Sequence, residues 1–90
     1  MQVTAKNNVI YTVILSPTYK KGLSFEGYVR SFSSTNDVGP YDILPGHENL
    51  VTTALGNAVI FDESGKRFDF NLGRAVVEVS ENILKVFVDY

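Results

Sequence analysis

Apolar and polar residues alternate along this chain with a period of two wherever they show a convincing period, and Gly, Pro, Asn or Asp interrupts the pattern about every 8 to 12 residues, the signature of a β-sandwich or barrel. No segment demands a helix. Residues 9 to 15 are apolar on both faces except at Thr12, which predicts a strand covered on both sides or lying at the centre of a sheet. Residues 16 to 22, Ser-Pro-Thr-Tyr-Lys-Lys-Gly, end it. From residue 23 to 30, Leu23, Phe25, Gly27 and Val29 alternate with Ser24, Glu26, Tyr28 and Arg30, giving one core face and one mostly wet face. Gly27 among large inward residues predicts a bulge or a close approach of another backbone. Residues 31 to 42 lose the pattern and hold the longest turn-rich stretch, Ser33 to Pro40, so they read as the functional loop.

Further along, residues 50 to 55 form a short apolar segment, and Gly56-Asn57 turns the chain. Residues 58 to 61 and 66 to 72 flank Asp62-Glu63-Ser64-Gly65, a four-residue hairpin loop in which Gly65 is free to take a positive φ. A last pair, residues 75 to 79 and 84 to 89, is joined through Ser80-Glu81-Asn82-Ile83. The expectation is an all-β, single-domain, two-sheet β-sandwich or flattened barrel over residues 1 to 90. Its predicted core is Phe25, Val29, Phe68, Phe70, Leu72, Val77, Val79, Leu84 and Val86.

Ninety residues suit one hydrophobic core, and surface scaling allows about 64% of the chain's surface to be buried. With no cysteine, neither a disulfide framework nor a thiolate metal site is available. The longest unbroken aliphatic or aromatic run, residues 58 to 61, is far short of the roughly 18 to 20 residues that cross a bilayer, so no direct membrane insertion is expected. Residues 2 to 8 lack the apolar region of a secretory signal, which points to the cytoplasm. The net charge is -2, with residues 31 to 65 holding Asp37, Asp42, Glu48, Asp62 and Glu63 and no Lys or Arg. Such an acidic middle repels phosphate, and nucleic-acid binding is set aside.

Catalytic chemistry is thinly represented. His47 is the sole histidine, and His47-Glu48 lacks the third ligand of a metal site, so both read as turn residues after Pro45-Gly46. No Gly-x-Ser-x-Gly elbow, Gly-x-Gly-x-x-Gly fingerprint or P-loop is present. Asp37/Asp42 and Asp62/Glu63 read as solvated loop acids, which turn chemistry selects in any case. The expectation is no enzyme activity, no cofactor and no metal. What remains is surface. Tyr28, Phe87 and Tyr41 are aromatics that the core pattern does not require, and they would anchor a protein interface if they converge on one face.

At Gly39-Pro40-Tyr41-Asp42-Ile43-Leu44-Pro45-Gly46-His47 the chain resembles the N-terminal β-sandwich domain of the epsilon subunit of F-type ATP synthase. That family runs Phe-x-Gly-x-Val, a loop, Gly-Glu-x-Gly-Ile-x-Pro-Gly-His, a leucine-rich stretch ending in Thr, and a late Glu-Val strand. Phe25-Glu26-Gly27-Tyr28-Val29, Leu50-Val51-Thr52 and Val77-Glu78-Val79, with Asn82 and Asp89, resemble these elements in the same order. Two departures are visible: the family's Glu and second Gly become Pro40 and Asp42, and its Gly-Gly before the Glu-Val strand becomes Arg74-Ala75. The family's two-helix C-terminal domain is not expected within residues 1 to 90.

The resemblance implies a non-catalytic central-stalk subunit that contacts a gamma-like subunit and the rotor ring, peripheral to the membrane through a larger complex. The segment Asp37 to His47 holds the turn-rich stretch, two acids without a base, and Tyr41 between Pro40 and Asp42. It is therefore expected to be the partner-facing end and not part of the core, with Asp37, Gly39, Pro40, Tyr41, Asp42 and His47 as partner-binding residues. The competing structural reading is that Tyr41 and Ile43 pack inward and the segment staples the sandwich. The alternatives are a stand-alone protein-interaction adaptor and a small-ligand-binding sandwich, whose sign would be aromatics lining a cleft. Far-UV circular dichroism tests the architecture: the expected spectrum is that of a β-protein, and more than about a quarter helix, against about one third in average globular proteins, would exclude it.

Overall fold

The computed structural model describes residues 8–17 and 23–88. Asp89 and the turn predicted through residues 18–22 lie outside the described residues. Six strands follow one another: β1 (Ile10–Leu15), β2 (Phe25–Thr35), β3 (Pro40–Ile43), β4 (Leu50–Asp62), β5 (Arg67–Ser80) and β6 (Ile83–Val88), with no helix among the described residues. Hydrogen-bonded neighbours run β1-β6-β5-β4-β2-β3, and β1 also pairs with β2. The sheet therefore closes into a ring of five strands, with β3 added beside β2 as a sixth. Closure removes most unpaired edges, the standing hazard of an antiparallel sheet. It is compatible with the expected sandwich or flattened barrel.

Alternation decides which side chains enter the ring. Ile10, Thr12 and Ile14 of β1 face inward and pair across the ladder with Val29, Gly27 and Phe25 of β2. Leu84, Val86 and Val88 of β6 and Ala75, Val77 and Val79 of β5 complete that wall. Phe32, Ile43, Ile60 and Leu72 are the large side chains that fill the interior from the remaining strands. Of the predicted core, Val29, Phe70, Leu72, Val77, Val79, Leu84 and Val86 are buried, whereas Phe25 and Phe68 are only partly so. These two stack edge to face at 5.2 Å on the rim of the cluster. β1 does lie inside the sheet, between β6 and β2, but it is covered on one side only, since Leu15 is 45% exposed.

Three expected breaks in the strands are absent. Residues 31–35 continue β2, and Pro40–Ile43 forms β3, so the turn-rich stretch narrows to Asn36 through Gly39. Gly56-Asn57 does not reverse the chain, and Gly73 does not separate two strands. β4 runs 13 residues and β5 runs 14, paired from Leu50↔Val79 to Phe61↔Arg67. The two glycines instead sit opposite each other at φ 82° and φ 68°, where the register shifts between Gly56 and Asn57. A bulge at positive φ bends a hairpin sharply without ending it, and only glycine adopts that conformation without strain. Gly27 needs a different account, because nothing lies within 4 Å of the position its Cβ would take. The irregularity of β2 falls instead between Val29 and Ser31, and no close backbone approach explains the glycine.

The two predicted hairpin loops are present, and their chemistry is local. Asp62 Oδ1 accepts from the Ser64 amide (2.9 Å), the Ser64 hydroxyl (2.7 Å) and the Lys66 amide (2.8 Å), while Gly65 takes φ 91°. These donors, the Ser64 hydroxyl first, hold the Asp62 carboxyl below its ordinary range. At the β5–β6 turn Glu81 and Asn82 both have positive φ (51° and 60°), the geometry of a two-residue type I′ loop. The bend generates a test. Gly73→Ala should lower stability by about 1–2 kcal/mol, the cost of a left-handed non-glycine residue, whereas Arg74→Ala at an exposed position should change it by under about 0.5 kcal/mol. Urea denaturation measures both.

Candidate partner-binding surfaces

The β2–β3 hairpin places most of the predicted site residues. Asn36 organises its tip: the amide donates to Gly39 O (3.0 Å), and the side-chain oxygen accepts from the amides of Val38 (2.9 Å) and Gly39 (3.1 Å). Asn36 Nδ2 then donates to Thr52 Oγ1 at 3.0 Å, tying the tip to β4. Asp37 is exposed, and beside it Val38 presents an apolar side chain that is 91% exposed. Pro40 and Asp42 are also exposed, with Ser33 Oγ donating to Asp42 Oδ1 at 2.6 Å across the ladder.

Tyr41 and Ile43 point the other way. They stand opposite Ser34 and Phe32 on the inner face, and Ile43 is fully buried in the core. Tyr41 is half-buried, and its hydroxyl donates to the Thr53 carbonyl at 2.7 Å. Burial pushes its pKa up to about 12, with the Ser34 hydroxyl pulling weakly in the opposite direction. The expectation that the segment Asp37 to His47 stays outside the core is therefore corrected. Alternation along β3 sends Tyr41 and Ile43 inward, leaving Pro40 and Asp42 outward. His47 lies past the far end of β3, away from the tip. Its amide donates to Leu44 O (3.1 Å) and its Nδ1 donates to Glu48 O (2.8 Å), as suits a turn residue. That corner is fastened to the β5–β6 turn by Gly46 N to Asn82 Oδ1 (2.9 Å) and Glu81 N to Asn49 Oδ1 (3.1 Å).

A second surface emerges only from the register. On the outer side of the ring, Thr53, Val76, Phe87 and Leu15 form one row across β4, β5, β6 and β1. Val51, Glu78, Lys85 and Val13 form the next row. Ile83, Tyr11 and Tyr28 follow on β6, β1 and β2, with Tyr11 and Tyr28 in edge-to-face contact at 5.3 Å. Tyr11 also donates its hydroxyl to Glu26, which raises its pKa. Val51 is 69% exposed, and Leu15, Leu55 and Ile83 are exposed as well. Of the three aromatics singled out in the sequence, Tyr28 and Phe87 thus converge on one face and Tyr41 does not. The apolar rows around them were missed, and their signal was the residual hydrophobicity of the outward positions 11, 13, 15, 76, 83 and 87.

No group of three or more His, Asp or Glu side chains suited to a metal occurs among the described residues. A shallow depression of about 460 Å³ is lined by Phe25, Phe68, Tyr28, Glu26, Asp62 and Glu63. Two of its acids are already engaged, Glu26 by Tyr11 and Asp62 by its own turn. No helix of the described residues is long and apolar enough to cross a membrane.

With that geometry in place, the fold finds counterparts among solved structures. It is similar to a chain of the Euglena gracilis mitochondrial ATP synthase, in a cryo-EM structure of its OSCP/F1/c-ring in rotational state 1. There the TM-score is 0.69 at 15% identity, over 100% of this chain and 59% of that one. It is also similar to a chain of the Tetrahymena thermophila mitochondrial ATP synthase central stalk/c-ring, with a TM-score of 0.68 at 19% identity over 94% of this chain and 66% of that one. The chain therefore spans about three fifths to two thirds of the length of these counterparts, and the likeness is one of fold. No known family profile matches the sequence. No curated protein sequence matches it either.

Tyr41 supplies the test for this end of the molecule. Tyr41→Phe leaves the Thr53 carbonyl without its donor and should cost about 1–2 kcal/mol, the range for a lost partner at a partly buried polar group. The folded-state pKa of Tyr41 is raised, so its contribution is complete below pH 10 and is lost as pH rises toward 12. Denaturant melts at stepped alkaline pH should show that loss in the wild type and a shallower one in Tyr41→Phe.

Proposed function

We propose that the chain is a non-catalytic central-stalk subunit of the epsilon kind from an F-type ATP synthase, a single two-sheet sandwich domain over residues 1–90. On this reading it contacts a gamma-like stalk subunit and the rotor ring, coupling ring rotation to ATP synthesis without touching nucleotide. One observation carries the reading: 100% of the chain in one case and 94% in the other aligns in fold with chains of two ATP synthase assemblies that include a c-ring. The spread of motif elements from Phe25 through Pro45-Gly46-His47 to Glu78 supports it. The two surfaces divide the work. The outer sheet face, with Phe87, Val76 and Leu15 in one row, offers the apolar area that a stalk partner covers. The hairpin end, with Asp37, Gly39, Pro40, Asp42 and the exposed Val38, faces the ring. Tyr41 contributes there by bracing the hairpin, and His47 by shaping the corner behind it. Such a subunit is membrane-associated only through its complex.

Native affinity purification of the tagged chain, read by mass spectrometry, is the test. ATP synthase stalk and ring subunits should co-purify, and Phe87→Ala should weaken recovery of the stalk subunit by roughly 30-fold in affinity, as for a central aromatic anchor. Recovery of the chain with no ATP synthase subunit would overturn the assignment.

A further inference from the structure

The outer face carries an electrostatic requirement that a generic apolar surface lacks. Glu78 on β5 and Lys85 on β6 are direct partners across the antiparallel ladder. Their row is continued by Val51 on one side and Val13 on the other, and the row beside it is Thr53, Val76, Phe87 and Leu15. One acid and one base therefore sit at the middle of a mostly apolar patch, which also holds Thr53 and whose row ends beyond Val13 at Glu26 on β2. Directly opposed residues have Cβ atoms about 5 Å apart, close enough to pair, yet no ion pair joins Glu78 to Lys85 among the described residues. The ion pair present there is Arg67–Asp69, on the other half of the β5 strand. Glu78 is half-buried and Lys85 exposed, so each keeps hydrogen-bonding capacity directed away from the ring.

Any partner that covers the patch must answer both charges, because an uncompensated charge buried at an interface costs several kcal/mol. It must place a cation over Glu78 and an anion over Lys85, one strand spacing apart, about 4.8 Å. A second copy of this chain meets the requirement by symmetry. Consider a two-fold axis lying in the interface, parallel to the strands and midway between β5 and β6. It sets Glu78 of one copy over Lys85 of the other, and the reverse. The same rotation lays Val76 over Phe87 of the partner, Val51 over Val13, and Thr53 over Leu15. An isologous contact of this kind closes on itself and does not propagate. It also keeps the strands of the two sheets nearly aligned, the common geometry of face-to-face sheet packing.

We propose that the β4–β5–β6–β1 outer face is a two-fold dimerisation surface, in which Glu78 and Lys85 pair reciprocally with those of a second copy of the chain. This uses the face assigned above to a stalk partner but does not rest on that assignment. The isolated chain pairs with itself through the face that a larger assembly would cover.

Sedimentation equilibrium of the purified chain from about 1 µM to about 1 mM, a span of about 4 kcal/mol in association free energy, is the test. The wild type should pass from one-chain to two-chain mass. Glu78→Lys and Lys85→Glu, each placing like charges across the axis, should raise the dissociation constant by more than about tenfold. The double reversal Glu78→Lys with Lys85→Glu should restore the dimer, since the two-fold re-pairs the swapped charges. Circular dichroism confirms that each variant is folded. A measurement on the unaltered protein stands beside these: carbodiimide treatment of mixed isotopically heavy and light chains should give Glu78–Lys85 cross-links that contain one peptide of each label. A wild type that stays a monomer across the range would overturn the proposal, as would single reversals that leave the dimer intact, a double reversal that fails to restore it, or the absence of mixed-label cross-links. A dimer restored by the double reversal whose recovery of stalk subunits stays lost would uphold the self-pairing and assign the charges to it separately from the stalk contact.

Discussion

The fold depends on the bend in the β4–β5 ladder. A straight strand of 14 residues would be about 46 Å long, but the longest dimension of the molecule is 36 Å. Both strands therefore have to turn within their own length, and they do so together, because Gly56 and Gly73 face each other at the register shift. Either side of that point, the same hairpin serves different parts of the ring. On one side of the bend, Val59 to Asp62 of β4 pair with β2; on the other, Ala75 to Ser80 of β5 pair with β6. Without the bend, β6 and β2 could not both reach β1, and the ring would remain an open sheet with two bare edges.

Most strands were legible because alternation survives wherever one face is buried. The inward sets at 25, 27 and 29, at 77 and 79, and at 84 and 86 are visible by eye; Val29, Val77, Val79, Leu84 and Val86 are buried, while Phe25 packs at the rim. The misread places share a cause. Gly56-Asn57 and Gly73 carry turn residues, but positive φ is needed equally in a reversing turn and in a bulge. Composition does not separate the two; the partner strand does. Likewise Ser33, Ser34, Asp42 and Tyr41 look like loop residues, although Ser33–Asp42 and Ser34–Tyr41 are ladder pairs joined to their surroundings by side-chain hydrogen bonds. A polar strand at the edge of a sheet leaves little hydrophobic period to read.

The outer face was hidden for another reason. Outward positions such as Tyr11, Val13, Phe87 and Val76 are individually unremarkable, since single exposed apolar residues are common. They become a surface only when the ladders align them, and register is a property of strand pairs. β1 running parallel to β6 is the decisive pairing. It brings the first of the described strands beside the last and joins Leu15 to Phe87, residues 72 positions apart in sequence.

The hairpin end shows how a short polar strand becomes a stiff one. Its tip is held to β4 through Asn36–Thr52, its middle through Tyr41–Thr53, and the corner beyond it through Gly46–Asn82. Ile43 fixes the same strand from inside the core. The hairpin is thus tied to β4 at its tip and middle and to the β5–β6 turn at its corner. The acids flagged as loop chemistry share in this stiffness: Asp42 accepts from Ser33 within the hairpin, and Asp62 closes its own turn. Asp62 thereby fixes the backbone of its turn, and Asp42 links the two strands of its hairpin through a side chain.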